Sequence, residues 1–297
     1  MRNRGFALML VIWVLILLSI IATSFSSLVR VETRSGSWLS EQTKMQATAM
    51  AAIHRGILGA SVRDKDQRWN PDGLAHELPW HDYQVSITLR SEGGKIDINY
   101  APKSLLLGLF QNVLQNGESA SLVDALIDWR DRDSQTSPLG AEATDYLSAG
   151  LSYVPSNGPF SSISELSQVL GFDSEMVEAL RPHISIFAKR PKIDASSASV
   201  EVLAAIPGIE RSMADQFISA RDNSRLNNLP LDFTLLDTGR RFFDVRNNSS
   251  IISIEVDIVN NNKQRHRERA IVRLQSTKSE YELLAWETLA NNSEEAL

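Results

Sequence analysis

The longest uncharged stretch of the sequence lies at its amino terminus and limits what the chain can become. From Phe6 to Val29 no residue carries a charge, whereas Arg2 and Arg4 precede the stretch. A helix of these 24 residues would be about 36 Å long, enough to cross a bilayer core of about 30 Å. Because the basic residues flank the amino-terminal side, we expect a cytoplasmic amino terminus and an exported remainder.

The helical pattern continues beyond the uncharged stretch. Apolar residues recur three to four positions apart, as on one face of an amphipathic helix, at Val31, Trp38, Met45, Ala49, Ala52, Ile53, Ile57 and Ala60. No proline occurs before Pro71. The sequence therefore predicts one helix from Phe6 to about Ser61, roughly 84 Å long. A cleaved signal peptide is the alternative, but its apolar region would be shorter and would end at a small-residue site.

Charge and cysteine content exclude several classes of function. The formal net charge is −6, which gives no support for the basic surface that nucleic-acid binding needs. The absence of cysteine rules out disulfides, thiolate catalysis and cysteine-ligated zinc. The histidines are scattered and lie in no hydrolase or metalloprotease motif: His54, His76, His81, His183 and His266. We therefore expect a protein that is not an enzyme.

After the first helix, the pattern changes to a linker, strands and further helices. Asp64–Pro79 is polar and contains proline and glycine, which predicts a linker. Tyr83–Arg90 alternates apolar and polar residues, as a half-buried strand does. The same alternation returns late in the chain, at 252–258, 270–274 and 281–286. The intervening residues 95–244 are mostly helical in pattern. The sequence therefore predicts an α+β fold with a small antiparallel sheet and a large α-helical insertion.

A repeat of sequence divides the insertion into two units, 95–191 and 192–244. Lys95–Leu109 and Lys192–Ile206 share Lys-Ile-Asp, an alanine and a leucine in register. Chance is the alternative explanation of so short a match. Both copies nevertheless have the pattern of a strand, a polar turn that caps a helix, and an apolar helix. This agreement favours a structural repeat.

The second copy continues into a pattern that resembles a helix-hairpin-helix. A Pro-Gly-apolar turn at 207–209 separates two helical segments, and Arg221 closes the second. In DNA-binding hairpins the backbone N–H groups of the turn hold a phosphate at a helix start. Here Glu210 stands where such hairpins have a second glycine, and lysines are absent nearby. These departures favour a helical packing unit over DNA binding.

The amino-terminal pattern resembles the type IV pilin-like proteins: a short basic leader ends in Gly5, and Phe6 begins a long apolar helix. In that family a dedicated peptidase cuts after the glycine and methylates the new first residue. The resemblance therefore implies cleavage before Phe6 and methylation of its amine. Main family members carry glutamate at the fifth mature position, where this sequence has Leu10. The K-type minor pseudopilins of type II secretion lack that glutamate and carry a large helical insertion, so the chain is most similar to them.

The resemblance implies a domain assignment for the whole chain. Residues 1–5 would be the leader, followed by a transmembrane half-helix at 6–29 and a periplasmic half-helix at 30–63. A pilin-like sheet domain would be formed by two separate segments, 80–94 and 248–290. The inserted domain would lie between these segments, at 95–244. The inserted units would be sterile-alpha-motif-like or helix-hairpin-helix-like. The protein would cross the inner membrane once, with its carboxyl-terminal domain in the periplasm.

A group of carboxylates closes the helical pattern at 119–133 and continues after a loop with Pro138 and Gly140. Its members are Asp128, Asp131, Asp133, Glu142 and Asp145. Such oxygens suit calcium, and aspartates at a helix carboxyl end need a compensating cation. Arg130 and Arg132 are the alternative compensation, which would leave a solvated acidic loop. The resemblance favours calcium, because K-type insertions carry calcium sites.

The resemblance also implies a function. The chain would be a non-enzymatic minor pseudopilin that caps the tip of the periplasmic pseudopilus and helps to initiate its assembly, for export of folded proteins across the outer membrane. Its implied partners are the I-type and J-type minor pseudopilins, the major pseudopilin, the prepilin peptidase and the inner membrane, without nucleic acid. The alternative is a membrane-anchored module that uses the hairpin units to bind DNA during uptake.

Overall fold

The computed structural model describes residues 4–64, 66–115, 117–227, 229–245, 250–275 and 280–289. In the first helix, side chains are described from Met9 onward, except at positions 27, 28, 30 and 31. The α-helices of this part of the chain, α1 to α7, are Arg4–Ser61, Lys103–Leu114, Ser119–Arg130, Ala143–Ser148, Ser174–Leu180, Val200–Ala204 and Arg211–Leu226. The strands, β1 to β9, are Asp72–Trp80, Tyr83–Ser91, Ile96–Asp97, Ile184–Ser185, Ile193–Asp194, Phe243–Asp244, Ile251–Asn260, Arg265–Leu274 and Tyr281–Thr288.

Helix α1 is a single helix of 58 residues, which confirms the long helix expected from the sequence. Every described side chain from Met9 to Ser40 is exposed. Burial begins at Met45, and Ala49, Ala52 and Ile53 have no exposed surface. The helix thus has a free amino-terminal half and a half that packs on the sheet.

The five-stranded antiparallel sheet has the order β1-β2-β7-β8-β9. Alternate residues of the central strands β2 and β7 face α1, because successive side chains of a strand point to opposite faces. The register places Val85 opposite Ile258 and Ile87 opposite Val256. These side chains form one hydrophobic core with the packed half of α1. The sheet and the helix together make one of the two packed parts of the α+β fold.

The linker predicted at Asp64–Pro79 was wrong over its second half. Strand β1 occupies Asp72–Trp80 and pairs antiparallel with β2, so the sheet begins at residue 72 rather than 80. Gly73 and Pro79 concealed this strand in the sequence. Both are tolerated there because β1 is an edge strand, where an unpaired backbone position does no harm. The predicted outer bounds 248 and 290 of the sheet domain lie outside the described residues, as do residues 1–3 of the leader.

The insertion between β2 and β7 consists of two units with the same plan. The first begins with β3 and closes with β4, which pairs with it in parallel; the second begins with β5 and closes with β6 in the same way. Helices lie between the two strands of each pair. Both units contribute to a second hydrophobic core, separate from the one beneath α1. The repeat seen in the sequence is therefore a repeat of structure.

The repeated turn shows why the two copies share their residues. Asp97 Oδ1 accepts the backbone N–H of Asn99 at 2.9 Å, and Asp194 Oδ1 accepts that of Ser196 at 3.0 Å. Each turn also receives an arginine from the second helix that follows it. Arg130 donates to the carbonyl of Ala101 at 2.8 Å, and Arg221 donates to that of Ala198 at 2.7 Å.

Two details of the insertion differ from expectation. Helix α3 ends at Arg130, although the pattern predicted helix through Asp133, and the extended residue Asp131 forms its carboxyl cap. The segment 134–159, predicted as a loop, contains the short helix α4. Its capping interactions involve carboxylates that the sequence analysis assigned to calcium.

Candidate functional site

The free half of α1 is the first functional feature. Its window Met9–Ser26 has a mean hydropathy of 2.5 and no residue buried in the protein. Leu10 lies in this window with 54% of its surface exposed. Gly5 and Phe6 lie in the first turns of the helix, but their side chains are outside the described residues. The helix is therefore long and apolar enough to cross a membrane.

Glu41 marks the point where α1 joins the sheet domain. Its Oε1 accepts hydrogen bonds from the Tyr83 hydroxyl at 3.1 Å and from Asn260 Nδ2 at 3.0 Å. Burial raises the pKa of Tyr83, and the neighbouring Glu41 carboxylate raises it further. No sequence pattern pointed to Glu41, since a single acidic residue on a helix carries no signal of a contact with distant strands.

The second feature is the acidic loop after α3. Asp128, at the end of that helix, is fully buried and accepts the backbone N–H of Ser137 at 3.0 Å. Gly140 lies against the same carboxylate, so closely that a Cβ there would overlap Asp128 Oδ2. The loop thus folds back over the carboxyl end of α3 and holds Asp128 inside.

Glu142 and Asp145 cap helix α4. The Glu142 side chain accepts the backbone N–H of Asp145, and Asp145 Oδ2 accepts the backbone N–H of Glu142 at 2.9 Å. This reciprocal arrangement is a capping box, which satisfies donors that a helix start leaves free. It accounts for Asp145 without a metal. Glu142 is 4% exposed, and its Oε1 is buried without a hydrogen-bond partner.

The charges of the loop are poorly compensated. Burial raises the pKa of Glu142 most, and the Asp128 and Asp131 carboxylates raise it further. Burial is also the main cause of the raised pKa of Asp131, followed by Asp133 and Asp128. Asp131 Oδ1 is buried without a hydrogen-bond partner. Four of the five predicted ligands therefore lie near enough to repel one another.

Arg130 does not neutralise this group as the sequence analysis allowed. Its guanidinium turns to the repeated turn of the first unit, where it donates to the carbonyls of Ile98 and Ala101. Burial lowers its pKa, and the neighbouring Asp97 and Asp131 carboxylates oppose that shift. Arg132 is exposed. An unsatisfied acidic group remains, with two orphaned carboxylate oxygens.

The oxygen donors fit the chemistry of a hard cation, but their present geometry is not a formed site. Across the described residues, no three His, Asp or Glu side chains are arranged to hold a metal ion. Asp128, Asp131, Asp133 and Glu142 would have to rotate to bring their oxygens together around calcium, which takes six to eight ligands.

Comparisons with known proteins add evidence at the level of family. A family model described as type II secretion system, protein K, matches residues 89–189, from the end of β2 through the first unit. Type II secretion system protein K of Pectobacterium carotovorum subsp. carotovorum is 26% identical over 225 residues, which is 68% of this chain and 67% of that protein. The protein K of Pseudomonas aeruginosa is 31% identical over 169 residues, 56% of this chain and 45% of that protein.

A solved structure shows the same fold. One chain of the crystal structure of the GspK-GspI-GspJ complex from the enterotoxigenic Escherichia coli type 2 secretion system superposes with a TM-score of 0.62. The match covers 87% of this chain and 100% of that one, at 18% identity. Over residues 89–189 the chain matches the protein K family of type II secretion. The predicted recognition and the α+β fold are thereby confirmed.

The similarity to protein K bears on the enzyme question. The matched family and relatives are named as components of a secretion system, in agreement with the expectation that the chain is not an enzyme. The hairpin at 207–209 also argues against DNA binding at α7. Glu210 is the amino-terminal cap residue of α7, and its carboxylate would repel a phosphate at that helix start.

Proposed function

We propose that this protein is a K-type minor pseudopilin that caps the tip of the periplasmic pseudopilus and helps to initiate its assembly. Its partners would be I-type and J-type minor pseudopilins and the major pseudopilin. The similar fold of a chain in the GspK-GspI-GspJ complex supports the choice of partners. The protein would cross the inner membrane through α1, with its amino terminus in the cytoplasm and the sheet and insertion in the periplasm.

Leu10 is the observation that carries the tip position. In pilin-like filaments the glutamate at this position is thought to pair with the free amine of the subunit above. A carboxylate without a partner in mid-bilayer costs about 2.5–3.5 kcal/mol on insertion scales. The topmost subunit has no amine above it, so leucine avoids that cost. The amine of Phe6 stays available for the subunit below.

The insertion supports the same position. It adds two helical units and a second core to the sheet domain. A head of this bulk fits the end of a filament better than a closely packed shaft. Helix α1, which is exposed to Ser40, leaves ample surface for contact with other helices.

The decisive experiment is labelling of filaments from cells that overproduce the major subunit. A tag on this protein should appear once, at a filament end, and deletion should impair secretion. Leu10→Glu should lower assembly about as much as the control Leu17→Glu, because neither carboxylate finds a partner. Regular labelling along the shaft, or better assembly with Leu10→Glu than with the native residue, would contradict the tip position.

We also propose processing by the prepilin peptidase after Gly5, with methylation of Phe6. The basic leader and the start of the apolar helix at Phe6 support this site. Intact-mass measurement of the membrane protein should show loss of residues 1–5 and one added methyl group. Gly5→Leu should leave the unprocessed form. A mature amino terminus near Ser24 would instead indicate an ordinary signal peptidase.

We propose further that the acidic loop binds a structural calcium ion. Asp128, Asp131, Asp133 and Glu142 would supply carboxylate oxygens, and Asp145 would support them through the capping box of α4. The ion would offset the mutual repulsion of these groups and so stabilise the first unit. The orphaned oxygens of Asp131 and Glu142 support this assignment.

Calorimetry with the purified protein tests the calcium proposal. Chelation should lower its melting temperature, because a ligand that binds only the folded state stabilises it by mass action. Asp131→Ala combined with Asp133→Ala should remove the response to calcium. Asp64→Ala combined with Asp66→Ala is the matched control and should keep it. The absence of a calcium response at millimolar concentration would leave a solvated acidic loop.

A further inference from the structure

Two short runs of basic residues meet at one end of the second unit. One run precedes β5 and the other precedes β6, and these strands pair in parallel with Ile193 opposite Phe243. Parallel strands in register bring the residues before them to the same end of the pair. We call this group the basic corner; it consists of Lys189, Arg190, Lys192, Arg240 and Arg241.

Most side chains of the basic corner form no ion pair. Lys192 lies 3.7 Å from Asp244. In the described segments, Lys189, Arg190, Arg240 and Arg241 form no ion pair. The Nη2 atom of Arg190 is buried and has no hydrogen-bond partner. Such a concentration of free positive charge is unexpected on a chain with a net charge of −6.

Aromatic rings fix the two arginines of the second run. The Arg240 guanidinium lies 5.1 Å from the ring centre of Phe243, and that of Arg241 lies 4.6 Å from the ring centre of Phe242. Both rings are buried, so they provide rigid platforms. A guanidinium stacked on a ring keeps its in-plane N–H donors available for other groups. The two arginines are therefore held ready to bind an anion.

We propose that the basic corner is a docking surface for an acidic segment of a partner protein. A planar guanidinium fork matches a carboxylate with two parallel hydrogen bonds, and such charge-assisted bonds are the strong ones. Neighbouring carboxylates on one peptide would reach Arg240 and Arg241 together. Lys189 and Arg190, which lie in the run before β5, would contact the same acidic peptide.

Two other polyanions fit less well. The sheet domain is set apart from a membrane surface, because residues 30–44 of α1 separate the apolar stretch from the buried position Met45 by about 22 Å of helix. The Debye length at physiological ionic strength is only about 8 Å, so headgroup charge is screened at that distance. Nucleic acid requires an extended basic track, whereas the corner is small and the whole chain is acidic.

The test uses the full-length protein in nanodiscs of zwitterionic lipid, with fluorescently labelled hexaglutamate as the probe. The probe should bind at low ionic strength and dissociate as salt is added, while hexaglutamine should not bind. Arg240→Gln combined with Arg241→Gln should weaken binding at least about tenfold, because two charge-assisted contacts are lost. Arg63→Gln combined with Arg68→Gln removes the same charge from an exposed segment elsewhere and should leave binding unchanged.

A folding control, a second variant and two other polyanions complete the test of the basic corner. Circular dichroism of each variant checks its folding, and Lys189→Glu gives a second disruption that leaves the stacked arginines in place. Equal hexaglutamate binding by the native chain and both corner variants would overturn the proposal. Tighter binding to phosphatidylglycerol vesicles or to a short DNA duplex than to hexaglutamate would overturn the choice of an acidic protein segment.

Discussion

Glu142 of the acidic loop shows how burial disfavours the charged form of a carboxylate. Glu142 caps α4 with one part of its side chain, while its Oε1 is buried without a partner. Burial and neighbouring carboxylates both raise its pKa, so its ionised form destabilises the folded state. Glu142 thus caps α4, although neighbouring carboxylates repel its charge. Calcium binding would resolve this conflict.

Glu142→Gln should therefore stabilise the calcium-free protein at neutral pH. Glutamine can still accept the capping hydrogen bond, but it carries no charge to repel Asp128 and Asp131. Since the folded pKa of Glu142 lies above its unfolded value, the penalty in the native chain is present at high pH and disappears as pH falls through the folded pKa. The two proteins should have equal melting temperatures below about pH 4.

Thermal unfolding in a chelator across pH gives this comparison. Asp66→Asn is the control, because it removes an exposed carboxylate outside the loop. A lower melting temperature for Glu142→Gln at neutral pH would show that the glutamate is satisfied in the native protein.

Among the elements, α1 has to meet two different environments along one axis. The described side chains of its free half are exposed, whereas its packed half contacts the sheet and the segment that follows the helix. Gly36 and Gly59 illustrate the difference. A Cβ at Gly36 would have no atom within 4 Å, whereas one at Gly59 would lie 2.5 Å from the Trp69 ring.

Gly59→Ala and Gly36→Ala should consequently have opposite effects. Alanine favours a helix over glycine by about 1 kcal/mol, but at position 59 overlap with Trp69 should cost about 1–3 kcal/mol and lower the melting temperature. At position 36 there is no overlap, so amide exchange near that residue should slow. Urea unfolding and hydrogen exchange measure the two effects. An unchanged stability of Gly59→Ala would mean that Trp69 moves aside freely.

At the scale of the whole molecule, the two cores are joined by a buried polar contact. Glu92, which directly follows β2, is 1% exposed. Its Oε1 lies 2.6 Å from Lys95 Nζ, and its Oε2 accepts the hydroxyl of Ser185 on β4 at 2.6 Å. The sheet domain and the first unit of the insertion are thus connected through one carboxylate.

Ser185→Ala should destabilise the molecule by about 1–3 kcal/mol, because the buried Glu92 carboxylate loses a donor. Ser167→Ala, at an exposed hydroxyl that bonds only its own turn, should have little effect. Urea unfolding followed by tryptophan fluorescence compares them. Equal stability of the two variants would mean that the cores do not depend on this contact.

The sequence by itself determined the elements whose signals are local. The uncharged run and its apolar continuation gave α1, because helix periodicity and bilayer thickness act on consecutive residues. Alternation predicted the central strands β2 and β7, and the Lys-Ile-Asp repeat predicted the two units of the insertion. The carboxylates around Asp128 were also visible as a cluster in the sequence, although only the folding of the loop brings Glu142 back to Asp128.

Only the tertiary structure decided the features that depend on distant residues. Strand β1 was hidden by Gly73 and Pro79 and exists because β2 offers it a pairing partner. Arg130 donates its hydrogen bonds to Ile98 and Ala101 instead of the adjacent carboxylates, so it offsets only part of the charge of the acidic loop. The basic corner arises because β5 and β6, about fifty residues apart, pair in parallel. Pairing and burial act through space, so no local pattern of residues could reveal these arrangements.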